Sequence, residues 1–522
     1  MKSKKNLFLM LVLALVLVLS ACGGNNTSSG EDKKGSSGAK GGGDFVFVTG
    51  ADAPTLDPHG VNDTATTDAT SQIFERLTDY AEDGSVVPLL ATEFKTIDDT
   101  TWEFKLREGV KFHDGTDFTA EAVKMSLDRL IDPEFASPRA VVLNMIEEVK
   151  IVDDHTVHIK TQNPFAPLPA HLAHNAASII APSAIKEEND GGKKVDENPV
   201  GTGAFKFATW NRGAELKFER FEDYWGEKAT LDTVTFKVVP EQATRVAMLE
   251  TGEANAMLLG SSDVARVEAM DQIEINRVRG TRMDYVGFNM NKAPYDNLKV
   301  RQAIAMAINK DEIVDGILEG QGVAAVGPLA PTVVGNSQEL TPLPYDVEGA
   351  KKLLAEAGFA DGFKTTIFVN EGSKERADIA ELVQAQLAPL GIEVSIETIE
   401  WGTFIEKTGA GEHELFVLGW TTVTGDADYG LYALFHSSMH GSAGNRSFYT
   451  NAKVDELLDK ARMSPDQNER NASYKEVSEI LIEEAPMVYL QHPDFVFGSN
   501  GVASGLFVNF SGTPYFKDVK LK

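Results

Sequence analysis

The 522-residue sequence has a single cysteine and a shortage of basic side chains. A disulfide within the chain is therefore excluded. Lys and Arg number 49 against 78 Asp and Glu, which gives a formal net charge of -29. Nucleic acids and anionic membrane surfaces attract basic proteins, so we expect no nucleic-acid partner. After the first residues no apolar run reaches the length of about 20 residues that a membrane-spanning helix needs.

Sequence motifs for catalysis are also missing. We find no G-x-S-x-G nucleophile elbow, no H-E-x-x-H zinc motif and no complete P-loop. A surface hydrolase would need a nucleophile or a metal, and the only cysteine, Cys22, lies in the N-terminal segment. We therefore predict a protein that is not an enzyme and has no cofactor.

The first residues have the pattern of an export signal. Lys2, Lys4 and Lys5 precede an apolar run from Leu7 to Leu19, and the small residues Ser20 and Ala21 then lead to Cys22. This ending resembles bacterial lipoprotein signals, so we predict a signal peptide over residues 1–21 and acylation of Cys22. An ordinary signal peptide with an incidental cysteine is the alternative. Residues 22–43 are rich in Gly, Ser and Asn, which predicts a flexible tether.

Hydrophobic periodicity predicts a mixed α/β fold with more than one core. Residues 44–49 have the composition of a strand, and a helix is predicted around residues 68–77. Thr119 is the predicted N-cap of a helix that runs through Leu130. Leu415 to Leu418 form a short apolar run that indicates a buried strand of an α/β sheet. Ligands bind beyond the C-terminal ends of such strands.

The loop that follows this strand is the predicted ligand contact. It carries two acids, Asp426 and Asp428, which could form a catalytic carboxylate pair, cap a helix or bind an ammonium group. We favour capping together with ligand binding. The predicted helix, residues 429–437, would present its N-terminal amides to an anionic group.

A pair of histidines could bind a metal. His436 and His440 have the i, i+4 spacing that places two ligands on one helix face. No further ligand is spaced as a closed site requires. We therefore favour solvated loop histidines and predict no metal site.

Motifs in a fixed order resemble family 5 solute-binding proteins of ABC importers. They are Thr55-Leu56-Asp57-Pro58, Trp102 to Arg107, Phe112 to Thr116, Asn198 to Gly203, Asp223-Tyr224-Trp225, Phe288-Asn289, Val300 to Ala303 and Tyr449-Thr450-Asn451. The resemblance implies a two-lobed periplasmic-binding-protein-like fold with an α+β subdomain inserted in the first lobe. It places lobe I at residues 45–283 and 490–522, the insertion at about 84–200, and lobe II at residues 284–489.

The sequence of the loop after Leu418 also indicates which ligand is bound. Dipeptide receptors of this family hold the ligand amine with an aspartate three residues after a tryptophan, and Val423 occupies that position here. The run from Thr424 to Tyr429 instead looks like the glutathione-binding branch. Glutathione has two carboxylates and a net charge of about -1 at neutral pH.

An acidic receptor needs local cations to hold such a ligand. Arg282, Arg376 and Arg446 are candidates, because arginine binds carboxylates bidentately. Trp420 and Tyr429 bracket the loop and could flank a peptide backbone, with core packing as the equal alternative.

The resemblance implies a monomeric, lipid-anchored receptor on the outer face of a bacterial cell membrane. It would capture glutathione or a related short peptide by hinge closure and deliver it to an ABC permease with its ATPase subunits. A general dipeptide or oligopeptide receptor is the alternative, and a nickel or metallophore receptor is a further one.

Overall fold

A computed structural model describes residues 42–522, except residues 62, 82, 372, 442 and 443. The predicted signal peptide, the acylation site Cys22 and the tether up to residue 41 lie outside the described residues. In the part of the chain that the structure describes, every helix is too short or too polar to cross a membrane.

The elements up to Arg279 come first in chain order. They are β1 (Asp44–Thr49), α1 (Thr64–Thr70), β2 (Thr78–Tyr80), β3 (Val86–Pro88), β4 (Ala91–Asp98), β5 (Thr101–Leu106), α2 (Ala120–Ile131), β6 (Ile146–Asp153), β7 (Thr156–Thr161), α3 (Leu168–Leu172), α4 (Pro182–Asn189), β8 (Phe205–Asn211), β9 (Glu215–Arg220), β10 (Thr233–Val238), α5 (Gln242–Thr251), β11 (Ala256–Leu258), α6 (Ser261–Glu268) and β12 (Glu274–Arg279).

The remaining elements follow. They are β13 (Arg282–Phe288), α7 (Leu298–Ala307), α8 (Lys310–Gly316), β14 (Gly322–Ala324), α9 (Val347–Glu356), β15 (Lys364–Asn370), α10 (Lys374–Leu387), β16 (Glu393–Ile399), α11 (Trp401–Gly409), β17 (Leu415–Thr421), α12 (Ala427–Phe435), α13 (Ala452–Met463), α14 (Gln467–Glu484), β18 (Met487–Ser499), β19 (Ala503–Ser504), β20 (Phe507–Val508), β21 (Pro514–Tyr515) and β22 (Lys520–Leu521).

One long sheet runs through the molecule in the order β16-β15-β17-β13-β18-β11-β1-β10-β9-β8. We call the part from β11 to β8 the lobe I sheet and the part from β16 to β13 the lobe II sheet. Because Arg282 and Met283 belong to β13, we assign them to lobe II rather than to lobe I, whose predicted first segment ends at residue 283. β1 is parallel to β10 and β11, and β15 is parallel to β16 and β17. Buried apolar side chains form separate clusters around each part, so each lobe has its own core.

The long strand β18 belongs to both lobes. Its first residues pair with β13, and its last residues pair with β11 and β12. The chain also crosses between the lobes from Arg279 to Arg282. An ion pair between Arg279 and Asp494 ties these two crossing segments together. The imidazole Nδ1 of His492 donates to the carbonyl oxygen of Arg282 at 3.0 Å, which adds a second tie.

A second, antiparallel sheet is inserted in lobe I. Its order is β4-β5-β7-β6, and α2 packs against β6. Phe104 and Leu106 alternate with charged residues along β5, and both are buried in the same apolar cluster as β1. The inserted sheet is therefore fixed to the lobe I core. Helix α3 and the turn before it extend from this insertion toward lobe II.

Most of the predicted elements are confirmed. β1 spans residues 44–49, Thr119 is the N-cap residue of α2, and β17 begins at Leu415. The helix predicted around residues 68–77 is wrong, because α1 covers residues 64–70. Asp63 caps this helix by accepting from Thr66 N, so the helix starts earlier. It also ends earlier, because the carbonyl of Ile73 accepts from the amide of Gly203.

We predict that Gly201→Ala destabilises the fold severely. A Cβ at residue 201 would overlap the backbone carbonyl of Ile73, which a side-chain rotation cannot relieve. Overpacking of this kind costs about 1–3 kcal/mol or more. Gly316→Ala in α8 is the matched control, since its Cβ would meet no atom within 4 Å. Thermal unfolding should show a lower Tm for the first variant and an unchanged or higher Tm for the second. Equal Tm values would contradict the prediction.

Candidate ligand-binding site

The loop between β17 and α12 has a defined conformation. Gly425 has a φ of 65°, and a Cβ there would meet the ring of Phe510 in lobe I. Asp426 then caps α12 by accepting from the amide of Asp428. The predicted capping role of Asp426 is thereby confirmed. The helix covers residues 427–435, two residues earlier than predicted.

Both acids of this loop are engaged by arginines of lobe II. Arg470 Nη2 donates to Asp426 Oδ1 at 2.6 Å, and both side chains are at least 93% buried. Arg462 binds Asp428 through two hydrogen bonds of 3.0 and 2.8 Å. Burial acts to raise the pKa of Asp428, but Arg462 outweighs it and holds the pKa below its ordinary value. These two carboxylates are thus already neutralised inside the protein.

A cavity of about 420 Å³ lies between the lobes; we call it the central cavity. Lobe II contributes three of its lining residues, Arg282, Thr421 and Val423. Lobe I contributes the others: Asp63, Thr64, Thr67, Ser71, Tyr80, Ala173, His174, Asn175, Phe495, Asn509, Ser511, Thr513 and Tyr515. The site predicted from the loop therefore has a wall from lobe I opposite it.

Arg282 is held in place at the first position of β13. Its Nε and Nη2 donate to Asp284 Oδ1 at 2.9 and 2.7 Å, and Glu375 lies 3.7 Å from Nη2. On the neighbouring strand, a Cβ at Gly419 would collide with this pair. The absence of a side chain at residue 419 therefore lets Arg282 lie across β17 at the edge of the cavity.

Arg376 is close to Arg282, and Arg446 is not part of the cavity lining. Burial and then the charge of Arg282 lower the pKa of Arg376. Arg376 donates to Asn370 Oδ1 at 2.5 Å, while its Nε is buried without a partner among the described residues. Arg446 is 8% exposed and donates to the carbonyl of Gly441. Of the three predicted arginines, only Arg282 lines the central cavity.

The two predicted aromatic residues lie in a neighbouring cavity of about 330 Å³, which we call the aromatic cavity. The rings of Trp420 and Tyr429 stack with centroids 5.4 Å apart. Phe165 and His171 of the insertion line the opposite side. Among the described residues, neither Trp420 Nε1 nor His171 Nε2 has a hydrogen-bond partner. The cavity thus pairs an apolar wall with one unused donor and one unused acceptor.

Thr424 lies in a third cavity between the lobes, of about 270 Å³. Asp426 and Arg470 share this cavity with Ala166, Pro167, Pro169 and Ala170 of the insertion. The amide of Ala166 donates to the carbonyl of Arg462 at 2.8 Å, a direct bond between the lobes. Six of the eight predicted site residues therefore line one of these three cavities, and Arg376 and Arg446 line none of the three.

The two histidines do not share a helix face. α12 ends at Phe435, so the helical spacing assumed for His436 and His440 is wrong. His436 stacks on Tyr432 with ring centroids 4.2 Å apart and is 8% exposed, so it is not a solvated side chain. Within residues 42–522, apart from the five undescribed positions, no three His, Cys, Asp or Glu side chains are grouped as a metal site.

No sequence pattern predicted the lobe I residues that line the central cavity. Asp63, His174 and Asn175 come from segments without a distinctive motif, more than 100 residues apart in the chain. The N-cap pattern of an Asp before a Thr-rich helix could have located α1. Nothing in that pattern indicates that the same residue faces lobe II.

Comparisons with known proteins agree with this two-part geometry. The family model of bacterial extracellular solute-binding proteins, family 5 middle, matches residues 85–442. The chain belongs to this family. It is a solute-binding protein of the ABC-importer class.

Relatives of this family 5 protein include the glutathione-binding protein GsiB of Pectobacterium atrosepticum. It is 33% identical over 92% of this chain and 94% of its own length. GsiB of Escherichia coli O157:H7 is 34% identical over 86% of this chain and 88% of its own. These relatives are named as binding proteins rather than as enzymes.

Solved structures support the expected fold of the family 5 protein. Helicobacter pylori DppA, in complex with the peptide STSA, is 33% identical, covers 92% of this chain and 98% of its own, and gives a TM-score of 0.79. HbpA2 from Haemophilus parasuis is 30% identical. The match covers 92% of this chain and 100% of HbpA2, with a TM-score of 0.84. The predicted two-lobed α/β fold is confirmed.

We predict that Asp426→Asn lowers the stability of this family 5 protein. Asparagine can still cap α12, but Arg470 would be left buried without its anion, which costs about 3–5 kcal/mol. Asp378→Asn is the control, because Asp378 forms a more exposed pair with Lys374 of the kind worth about 0–1 kcal/mol. Urea unfolding should show the difference. A variant as stable as the control would mean that the ion pair contributes little.

Proposed function

We propose that this protein is the receptor of an ABC importer for glutathione or a related short peptide. The central cavity between the lobes supports this proposal most directly. Its volume of about 420 Å³ lies within the range of about 300–1,000 Å³ that is typical of small-molecule sites. Residues of both lobes line it, so a ligand there would contact both.

The charges around the cavity suit an anionic peptide. Arg282 lines the cavity. Arg376 does not line it but lies near Arg282, since burial and then the charge of Arg282 lower the pKa of Arg376. A guanidinium binds a carboxylate bidentately, and glutathione carries two carboxylates. The names of the relatives from Pectobacterium atrosepticum and Escherichia coli point to the same ligand.

The predicted roles of the loop residues change in this proposal. Arg470 and Arg462 already bind Asp426 and Asp428, so these acids stabilise the loop rather than pair with a ligand ammonium. Trp420 and Tyr429 would contact a ligand that extends from the central cavity into the aromatic cavity. Thr424 and Arg446 would support the loop and its surroundings.

Capture would proceed by closure of the lobes about two crossing segments. Short segments that absorb the backbone change are typical of hinge motions. Here the segments are Arg279 to Arg282 and Gln491 to Asp494. Arg282 lies at the end of the first segment, so ligand binding and closure would act on the same residue.

A general oligopeptide receptor is the second candidate. The complex of Helicobacter pylori DppA with a four-residue peptide favours it, and so does the aromatic cavity, which offers about 330 Å³ beyond the central one. Against an ordinary dipeptide ligand stands Val423, which lines the central cavity without a charge to bind an amine.

We predict that the purified protein, unfolded and refolded to remove cellular ligand, binds reduced glutathione in calorimetric titration. Arg282→Gln should weaken this binding by about 10–100-fold, because a charge-assisted bond to the ligand is lost. Arg277→Gln is the control, since Arg277 forms a surface pair with Glu268. Binding of dipeptides or tetrapeptides without glutathione would select the second candidate. No binding of any peptide would contradict both.

We also propose that the protein is anchored by lipid on Cys22 at the outer face of the cell membrane. In a bacterial host fed an alkyne-labelled fatty acid, the wild-type chain should carry the label and Cys22→Ser should not. Ser29→Ala in the predicted tether is the control and should keep the label. A labelled Cys22→Ser chain, or an unlabelled wild type, would refute the anchor.

A further inference from the structure

The central cavity has two oppositely charged lining residues, one on each lobe. Asp63 belongs to lobe I and Arg282 to lobe II. His174 also lines this cavity, and an imidazole can carry charge near neutral pH. Burial, however, lowers the pKa of His174 well below the ordinary value. The cavity therefore has a carboxylate on one wall and a guanidinium on the other.

Asp63 is fixed in position and keeps one carboxylate oxygen unused. Its Oδ1 accepts from Thr66 N at 2.9 Å as the cap of α1. Its Oδ2 accepts no hydrogen bond from the residues that the structure describes. Arg139 is buried behind this wall, where it donates to the carbonyl oxygen of Asp63 and to Thr67 Oγ1 rather than to the carboxylate. Arg139 thus holds the backbone of Asp63 in place and makes no hydrogen bond to the Asp63 carboxylate.

Arg282 is also oriented and also keeps a donor. Its bonds to Asp284 use Nε and Nη2, and Nη1 makes no hydrogen bond within the described part of the chain. The side chain is 29% exposed, whereas Asp284 is 1% exposed. The buried acid therefore aims the guanidinium, and its outer edge can donate to a ligand carboxylate.

We propose that the ligand is a zwitterion whose ammonium group binds Asp63 of lobe I and whose carboxylate binds Arg282 of lobe II. This inference rests on the proposed function, which places the ligand in the central cavity. The orientation places the amine away from Val423, the uncharged lobe II position. A γ-glutamyl head group, with an amine and a carboxylate on one carbon, has the required chemistry.

This arrangement makes both charges necessary for a stable closed form. An ammonium group alone would contact only lobe I, and a carboxylate alone would contact only lobe II. A ligand with both groups would hold the two lobes together. Blocking the amine should therefore remove the contact to Asp63 and leave the contact to Arg282 intact.

Titration of two probes, reduced glutathione and N-acetyl-glutathione, against wild type and two variants tests the inference. Acetylation should weaken binding to wild type by about 10–100-fold. Asp63→Asn should weaken binding of glutathione by a similar factor, and acetylation should then cost nothing more. Asparagine is as good an N-cap as aspartate, so α1 keeps its start. Asp99→Asn, an exposed turn residue of lobe I, is the control and should behave as wild type.

Three outcomes are decisive. An acetylation penalty that disappears only in Asp63→Asn supports the inference. A penalty of the same size in wild type and Asp63→Asn overturns it, while the binding itself leaves the proposed function standing. If wild type binds neither probe and no dipeptide, the proposed function fails and the inference fails with it.

Discussion

The pairing of β18 with strands of both lobes is the constraint on which the rest of the architecture depends. Its first half bonds to β13 and its second half to β11 and β12, so one continuous segment fixes the position of each lobe sheet. Buried backbone hydrogen bonds are costly to lose, so each half of β18 stays paired with the strands of its own lobe. Phe495 of β18 and Arg282 of β13 both line the central cavity, so this cavity lies beside the crossing.

Ion pairs in lobe II decide what the cleft can recognise. Asp426 and Asp428 look like ligand acids in the sequence, yet Arg470 and Arg462 neutralise them from α14 and α13. Arg282 differs, because its partner Asp284 is buried beneath it and leaves an edge of the guanidinium toward the cavity. Pairs of arginine and aspartate therefore stabilise the loop at Asp426 and Asp428, whereas the pair at Arg282 leaves part of its guanidinium facing the cavity.

Local patterns in the sequence identify much of the fold and part of the site. The alternation around Phe104, the apolar run at Leu415 and the capping role of Asp426 depend on neighbouring residues, so they could be predicted. The partners of Asp426 and Asp428 are 44 and 34 residues away, and no local pattern indicates that pairing. The early end of α1 has the same cause, since the carbonyl of Ile73 is bonded by Gly203.

The place of β18 in the chain also orders the folding of the molecule. Its residues 487–499 come near the end of the sequence but lie in the middle of the long sheet. During synthesis, neither lobe can complete its sheet until almost the whole chain has left the ribosome. Contacts of such large sequence separation form slowly, because loop closure must come first. A polypeptide whose central strand is synthesised this late therefore stays incompletely folded until most of its residues are available.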